Sequence, residues 1–416
     1  MKSKRFLMLV CVLSLALILT LAQFLGACAP EEDGTGTDEP LKIGTIGSRT
    51  GWLAEWATDG QDFNLAYGDY VNAHGGINGR EIEVIQYDDE SEEQNDFLYV
   101  KKMIEEDGCL AITGPTLTGP SMASIEAAAY EGCPFIYKPP MEQPPEVYEP
   151  GSNIFGCEAP GTRYFASTIQ YLKDEVGIET IALLSTSDDS GEEDLEWVLD
   201  AIEMVGGIEV VISERIDPEA IDAVPQLTRI KAASPDAIHL QGAGDVIGPI
   251  VRGMEQLAMT DIPVGCASGY MNLPAFELMA GHEPDLIIGP VQMVHRYPFG
   301  LLEPEDEAYQ LTELMWDMWK FTWGEDRMSK DEFLMTWIPW DFEMMHLMVA
   351  GIEAAWPLPD DLQAARQAIN DALENDIVNW EGLQGTRTMT PTDHVGLPPG
   401  AAVVIQIKDG EFTRLN

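Results

Sequence analysis

Short apolar runs alternate along this chain with longer segments in which apolar residues recur at helical spacing. In the first third, the predicted strands are 42–46, 81–87, 110–113 and 134–137. The helices predicted between them lie near 61–72, 95–105 and 120–130. Strands that alternate with helices in this way indicate a parallel sheet covered by helices on both faces, which is a doubly wound α/β lobe.

The same alternation starts again after a proline-rich segment, 139–150. Strands are predicted at 180–184, 208–213, 237–240 and 262–264, and helices near 192–204, 225–233 and 246–258. A further strand at 286–293 is followed by helices at 305–323, 333–356 and 362–373, and the chain closes with a strand at 401–408. Two similar α/β lobes are therefore predicted.

The stretch 71–89, VNAHGGINGREIEVIQYDD, shows how each element is expected to end. Gly75 and Gly76 stop the preceding helix because glycine adopts left-handed backbone angles at little steric cost. Asn78–Gly79 is a tight-turn dipeptide. The strand 82–87 then runs into an acidic loop.

This opening resembles that of the branched-chain amino acid type of ABC-transporter solute-binding protein, which has the type I periplasmic-binding fold. The matching residues are Ile43–Gly44, Thr50–Gly51, the turn NAHGGINGR at 72–80, and Tyr87–Asp88–Asp89. The resemblance implies an α/β fold of two doubly wound parallel-sheet lobes joined by a three-segment hinge. Lobe 1 would comprise 41–158 plus 297–380 and lobe 2 would comprise 159–296 plus 381–416, with crossings near Glu158, Arg296 and Trp380.

The N-terminus carries Lys2, Lys4 and Arg5, an apolar run over 6–25, and Leu25-Gly26-Ala27-Cys28. This pattern predicts a lipoprotein signal peptide at 1–27, lipidation of Cys28, and attachment to the membrane outside the cytoplasm. The alternative is a retained membrane helix, since the apolar run approaches a bilayer-spanning length. Residues 28–40 have no apolar periodicity and are expected to be a flexible tether.

The chain has 71 acidic and 23 basic residues and a formal net charge of −48. Removal of 1–27, which holds three basic and no acidic residues, makes the charge −51. Such a charge argues against binding to nucleic acid or to an anionic membrane surface. It suits either a high-salt habitat, where salt screens the surface, or an ordinary acidic exported protein.

Beyond the signal and Cys28, the cysteines are Cys109, Cys133, Cys157 and Cys266, which show no metal-ligand spacing. Cys109 and Cys133 each precede an apolar strand of the first lobe. A disulfide between them is one possibility for an exported protein, and buried free thiols are the other.

Ligands of open parallel sheets meet the loops after the carboxyl ends of the strands. The loops in question are 48–58, 114–119, 138–143, 185–191, 242–245 and 266–270. Thr116 and Thr118 occupy the place where the resembled family puts a hydroxyl against the ligand, although a threonine there can also cap a helix. The other residues assigned to ligand binding in these loops are Trp52, Trp56, Met141, Ser190, Gly242 and Ser268.

Some residues depart from the pattern of the resembled family, so the resemblance does not determine the identity of the ligand. The last second-lobe loop lacks the acidic residue of many amino-acid binders, and Ser190 replaces an aromatic residue before Gly191. Glu158, near the first crossing, is either the partner of a ligand ammonium group or a solvated hinge carboxylate, and a buried ammonium group needs such a partner. An amino-acid-like solute, an amide and an aromatic acid all fit.

The sequence contains no HExxH, GxSxG or GxxxxGK motif and therefore does not indicate an enzyme. His394 resembles part of a tail motif of some amide and urea binders, and a structural histidine is the alternative. The tryptophans of the helical block, Trp316, Trp319, Trp323, Trp337 and Trp340, are predicted to be chiefly core. We expect a monomeric binding protein without cofactor or metal that serves an ABC permease, or alternatively a lipoprotein that reports its ligand to a membrane receptor.

Overall fold

The computed structural model describes residues 39–415 except 52, 116, 140–149, 272, 292–296, 298–299, 301, 335, 337, 399–401 and 409–410. The expected signal peptide, Cys28 and most of the tether lie outside the described residues, as do Trp52, Thr116 and Met141. The described residues form one compact unit.

The first sheet is built from five strands that are all parallel, in the order β2-β1-β3-β4-β5. Its strands are β1 (Leu41–Gly47), β2 (Ile82–Asp88), β3 (Ala111–Thr113), β4 (Phe135–Tyr137) and β5 (Ile154–Gly156). The helices that alternate with them are α1 (Ala54–Ala73), α2 (Glu93–Glu105) and α3 (Thr118–Glu131). The predicted doubly wound lobe is confirmed, with β5 as a strand that the sequence pattern did not show.

The second sheet has seven strands in the order β14-β13-β10-β9-β8-β6-β7. Its strands are β6 (Thr180–Thr186), β7 (Glu209–Ile216), β8 (Ala237–Gln241), β9 (Val264–Cys266), β10 (Ile287–Val291), β13 (Val403–Lys408) and β14 (Glu411–Arg414). The accompanying helices are α4 (Gly161–Tyr171), which continues as a π-helical turn over Leu172–Val176, α5 (Asp189–Val205), α6 (Val224–Ala233), α7 (Ile247–Gln256) and α8 (Leu273–Met279). Strands β13 and β14 are antiparallel and the others parallel.

The helical block after β10 packs on the first sheet. It contains α9 (Glu307–Trp323), α10 (Lys330–Leu334), α11 (Ile338–Ala354) and α12 (Leu362–Asn375). Adjacent residues of β4 show why both faces need a cover. Ile136 is buried with side chains of α1, α9, α11 and α12, whereas Phe135 is buried on the other face with those of α2 and α3. Successive side chains of a strand point to opposite faces of the sheet. Because those of β4 are all apolar, both faces must be covered by helices.

The turn predicted at Asn78–Gly79 is confirmed. Both residues have positive φ angles, 50° and 88°, and the flanking Ile77 and Arg80 exchange two backbone hydrogen bonds of 2.8 and 3.0 Å. Positive φ at both central residues is the type I′ geometry for which Asn-Gly is preferred. The chain therefore reverses between α1 and β2 within two residues.

The tail returns to the first lobe before it enters the second sheet. Strands β11 (Trp380–Gly382) and β12 (Gly385–Arg387) form a two-stranded ribbon. Leu383 and Met389 are buried in the core that covers the first sheet. The boundary expected at 380/381 therefore falls within a segment that packs on the first lobe, and the strands that join the second sheet begin at Val403.

Candidate functional site

The carboxyl edge of the first sheet brings together the loops after β1 and β2. The backbone N–H groups of Arg49 and Thr50 and the Thr50 hydroxyl donate to the Asp88 carboxylate over 2.8 to 3.2 Å. Burial acts to raise the pKa of Asp88, but these bonds and one from the Glu90 N–H outweigh it and lower the pKa. Because β1 and β3 lie side by side and lead to opposite sides of the sheet, this edge is also its topological switch point.

Next to this edge, four side chains form what we call the Trp340 cluster: Lys138, Glu158, Trp340 and Asp341. The Lys138 Nζ donates to Asp341 Oδ2 over 2.8 Å, and the two side chains are 5% and 4% exposed. The Trp340 indole N–H donates to Glu158 Oε2 over 2.9 Å, and its ring centroid lies 6.0 Å from the Lys138 Nζ.

The strands and one helix explain how the Trp340 cluster forms. Lys138 directly follows β4, and Glu158 lies two residues after β5, so parallel pairing of these strands places both at the same edge. Trp340 and Asp341 come from the first turn of α11. The cluster holds two carboxyl groups and one amino group, so its ionised form has a net negative charge that suits a cationic ligand group.

The second sheet has its own switch point, between β6 and β8. Asp188 caps α5 by accepting from the Gly191 N–H over 3.1 Å, and it also accepts from the Thr186 hydroxyl. The Gly242 N–H, after β8, donates to Asp194 Oδ2 over 2.8 Å. Burial raises the pKa of Asp194 to about 7, against the opposing effect of that hydrogen bond.

The structure places the predicted site residues at these two edges with different surroundings. Thr118 is the exposed first residue of α3, and Ser190 is exposed in the first turn of α5. Ser268 is exposed at the start of a 3-10 turn, Ser268–Tyr270. Gly242 has its N–H bonded to Asp194 and a φ of 101°, where a side chain would collide with Thr186, so its role is conformational.

Two expectations require correction. The loop predicted at 48–58 is shorter, because α1 already begins at Ala54 and Trp56 is therefore a helical residue. Trp340, expected in the core, is only half-buried and hydrogen-bonded to Glu158. Sequence reasoning also missed Lys138 as a site residue, although a lysine directly after a buried strand was a signal that could have found it.

The cysteines of the first lobe are free thiols. Cys109 and Cys133 are both buried, and the Cys133 Sγ lies 3.9 Å from the carbonyl oxygens of Cys109 and Leu110. Strands β3 and β4 are neighbours, as a disulfide would need, yet the structure has the alternative of two buried thiols. Burial raises the pKa of each thiol to about 12.

Two further observations concern the described residues only. No group of three or more His, Cys, Asp or Glu side chains is arranged there to hold a metal ion. No helix within the same residues is long and apolar enough to cross a membrane.

Comparison with known proteins identifies the class. The sequence profile of a periplasmic binding protein family matches residues 40–281, which is more than half of the chain. The chain therefore belongs to this family, whose members are extracytoplasmic ligand-binding proteins and not enzymes.

Individual relatives are distant in sequence. An amino acid binding protein of Pseudomonas aeruginosa is 22% identical over 275 residues, which are 63% of this chain and 73% of that protein. A periplasmic binding protein type 1 from Bordetella pertussis superposes with a TM-score of 0.63 at 21% identity, covering 91% of this chain and all of the other. A branched-chain amino acid transporter substrate binding protein from Streptococcus pneumoniae, solved with isoleucine, gives 0.57 at 18% identity over the same shares. These likenesses show the type I fold.

Proposed function

We propose that this chain is the solute-binding lipoprotein of an ABC importer and that it binds a small amino-acid-like ligand between its two lobes. Family membership supports the ligand-binding role. Two relatives, an amino acid binding protein and a branched-chain amino acid transporter substrate binding protein solved with isoleucine, support the ligand class.

The observation that carries the proposal is the hydrogen bond between Trp340 and Glu158 at the carboxyl edge of the first sheet. Glu158 is 8% exposed. A carboxylate held in that position by an indole N–H offers a ligand ammonium group the anionic partner that it needs on leaving water. The indole face beside it offers apolar contact area to a hydrocarbon side chain.

Lobe closure would bring the second edge, with Ser190 and Ser268, against the first. Proteins of two lobes joined by a few segments close around ligands by rotation at those segments. Thr116, Thr118, Trp52, Trp56 and Met141 complete the proposed ligand-binding set on the first lobe. Closure presents the bound form to a membrane permease.

Lipidation at Cys28 after cleavage of 1–27 would keep the binding protein beside its permease. The proposal predicts that the full chain, expressed in a bacterium with labelled palmitate, incorporates label, and that Cys28→Ser abolishes incorporation. Label retained in Cys28→Ser contradicts the assigned lipidation site. Light scattering of the purified chain from residue 39 onward tests the expected monomer.

The ligand is tested by a thermal-shift screen of the chain from residue 39 onward with branched-chain amino acids, their neutral amides, and benzoate. A ligand present at a hundred times its Kd stabilises the folded state by about 2.7 kcal/mol. We expect leucine or isoleucine to raise the Tm and to shrink the radius of gyration in X-ray scattering. Stabilisation by benzoate or amides alone would change the ligand class, and no response to any compound would contradict the binding function in its proposed form.

A matched pair of variants assigns the site. Glu158→Gln keeps the size of the side chain and removes its charge, so the affinity for an amino acid should fall by at least tenfold in calorimetry. Glu175→Gln, at an exposed position after α4, should bind as the wild type does. Equal affinities of the two variants would exclude Glu158 from the site.

A further inference from the structure

Two buried carboxyl groups lie together beneath the loop that follows β1. Asp89, directly after β2, is 2% exposed, and Asp96 in α2 is fully buried. The two carboxyl groups are neighbours, so that one can donate a hydrogen bond to the other when it carries a proton. Neither carboxyl oxygen of Asp96 accepts a hydrogen bond from an N–H or hydroxyl group in the described part of the chain.

The ionisable groups around the pair are acidic. Glu93, in the first turn of α2, acts on Asp96, and Asp88, at the end of β2, acts on Asp89. The loop after β1 contributes the neutral hydroxyl of Ser48, and the start of α3 contributes the backbone of Gly119 beside Glu93. No cation lies beside the pair among the described residues, and burial together with like charge disfavours two ionised carboxylates. A hydrogen bond between them requires a proton.

The directions in which the two pKa values are shifted agree with this geometry. Burial, followed by the charge of Asp89 and the hydrogen bond to it, raises the pKa of Asp96 to about 9. Burial also raises the pKa of Asp89, although Ser48 and Ser91 donate hydrogen bonds that oppose the rise. The hydrogen bonds that Asp89 accepts from Ser48 and Ser91 favour its ionised form, so the proton is assigned to Asp96 and Asp89 is the acceptor.

Asp89 in turn fixes the loop between β1 and α1. Its Oδ1 accepts from the Ser48 hydroxyl over 2.5 Å and from the Ser91 N–H over 2.7 Å. The Ser91 hydroxyl donates to the Thr50 carbonyl oxygen over 3.0 Å and accepts from the Leu53 N–H over 3.1 Å. Ser48 is thus anchored directly to Asp89, and Thr50 and Leu53 are anchored to it through Ser91, while Asp88 holds Arg49 and Thr50.

We propose that Asp96 is a positioning residue that keeps one proton in a hydrogen bond to Asp89, so that Asp89 holds Ser48, Thr50 and Leu53 of the loop after β1 in the conformation that binds ligand. The role of Asp89 in ligand binding rests on the proposed function, because the loop borders the proposed ligand site. The proton shared by Asp89 and Asp96 is independent of the proposed function.

The sign of the expected pH effect follows from proton counting. The pKa of an ordinary aspartate is 3.8, so between about pH 4 and pH 9 the folded state carries a proton that the unfolded state lacks. The unfolding equilibrium constant of the wild type should therefore rise by up to about tenfold per pH unit in this window from this one group. Asp96→Asn retains a donor toward Asp89 and cannot titrate, so the contribution disappears.

Urea unfolding of the chain from residue 39 onward, at each pH from 5 to 9, measures the contribution. The stability of Asp96→Asn relative to wild type should increase with pH, whereas Asp200→Asn, an exposed change in α5, should run parallel to wild type. An Asp96→Asn curve that also runs parallel to wild type overturns the proposal. If Asp96→Asn does not fold, infrared spectra of the wild type decide. A protonated carboxyl band that persists at pH 8, above the pKa of about 7 of Asp194, and is lost above pH 10 supports the proposal, and the absence of a band at pH 8 overturns it.

Binding is measured separately by calorimetry with isoleucine. Asp89→Ala, which removes the anchor of the loop, should weaken binding by at least tenfold, whereas the exposed change Asp200→Asn should bind as the wild type does at pH 7. Wild-type affinity in a folded Asp89→Ala variant overturns the positioning role. Failure of the wild type to bind isoleucine would count against the proposed ligand, and the unfolding curves would still test the shared proton.

Discussion

Glu343 and Arg387 form an ion pair of 2.8 Å in which neither side chain has exposed surface. The Arg387 guanidinium also donates to the carbonyl oxygens of Gly156, Cys157 and Val395 over 2.7 to 3.1 Å. One arginine of the tail thus binds the end of β5, helix α11 and the segment that leads toward the second sheet. The first crossing and the tail are held as one piece at this point.

We expect Arg387→Met to lower the free energy of unfolding by about 3–5 kcal/mol, because the buried Glu343 carboxylate keeps the Leu383 N–H as a donor but loses its cation. Urea unfolding measures the loss. The double variant Glu343→Leu with Arg387→Met should recover much of it, since no buried charge remains.

The matched control for this pair is Arg215→Met. Arg215 pairs with Glu192 over 2.7 Å at the surface, with side chains 36% and 55% exposed. Exposed pairs contribute about 0–1 kcal/mol, so this variant should stay close to wild type. Similar losses in Arg215→Met and Arg387→Met would show that burial does not set the value of the inner pair.

Trp340→Phe keeps an aromatic ring in α11 and removes the N–H that Glu158 accepts. A hydrogen bond to a charged group contributes about 1.5–3 kcal/mol, so we expect amino acid affinity to fall by roughly tenfold or more in calorimetry. The control is Trp316→Phe, since Trp316 is buried in the core against Phe333. Trp316→Phe should lose stability and keep its affinity for the amino acid. If Trp340→Phe instead loses stability and keeps its affinity, the role of Trp340 is purely structural.

The sequence was sufficient for the order of most strands and helices, because buried parallel strands and amphipathic helices differ in period and length. Asn78–Gly79 could be predicted because its turn needs two positive φ angles, a local property. Strand β5 escaped detection, since three residues at Ile154–Gly156 show no period and pair only through β4.

The site was less accessible than the fold. Thr118, Ser190 and Ser268 could be placed at strand ends from the sequence, because parallel strands share one carboxyl edge. Trp340 could not be assigned to the site, because helical spacing predicts which side chains share a face of a helix but not which side chains of other elements they contact. Its contact with Glu158 joins residues 182 positions apart, and such pairs are set by the packing of α11 on the first sheet.

The burial of His239 leads us to expect a lower free energy of unfolding in acid. It is fully buried in β8, and burial lowers its pKa to about 3 from the ordinary value of 6.5. Between these two pH values, His239 is protonated in the unfolded state and neutral in the folded state. The free energy of unfolding therefore falls as the pH drops from about 6.5 toward 3. In urea unfolding, the stability difference between wild type and His239→Gln should shrink as the pH falls through this window. A His239→Gln difference that stays constant with pH would contradict the burial argument.

The last prediction concerns the thiols of Cys109, Cys133, Cys157 and Cys266, all of which are free and buried. Disulfide exchange with Ellman's reagent requires an accessible thiolate, and burial both blocks access and raises the pKa of these groups. In the chain from residue 39 onward, none should react at pH 8 while the protein is folded. After unfolding in urea without reductant, four thiols per chain should be titrated. A count of two would mean that Cys109 and Cys133 had formed a disulfide, and rapid reaction of the folded chain would show that the cores around these residues open readily.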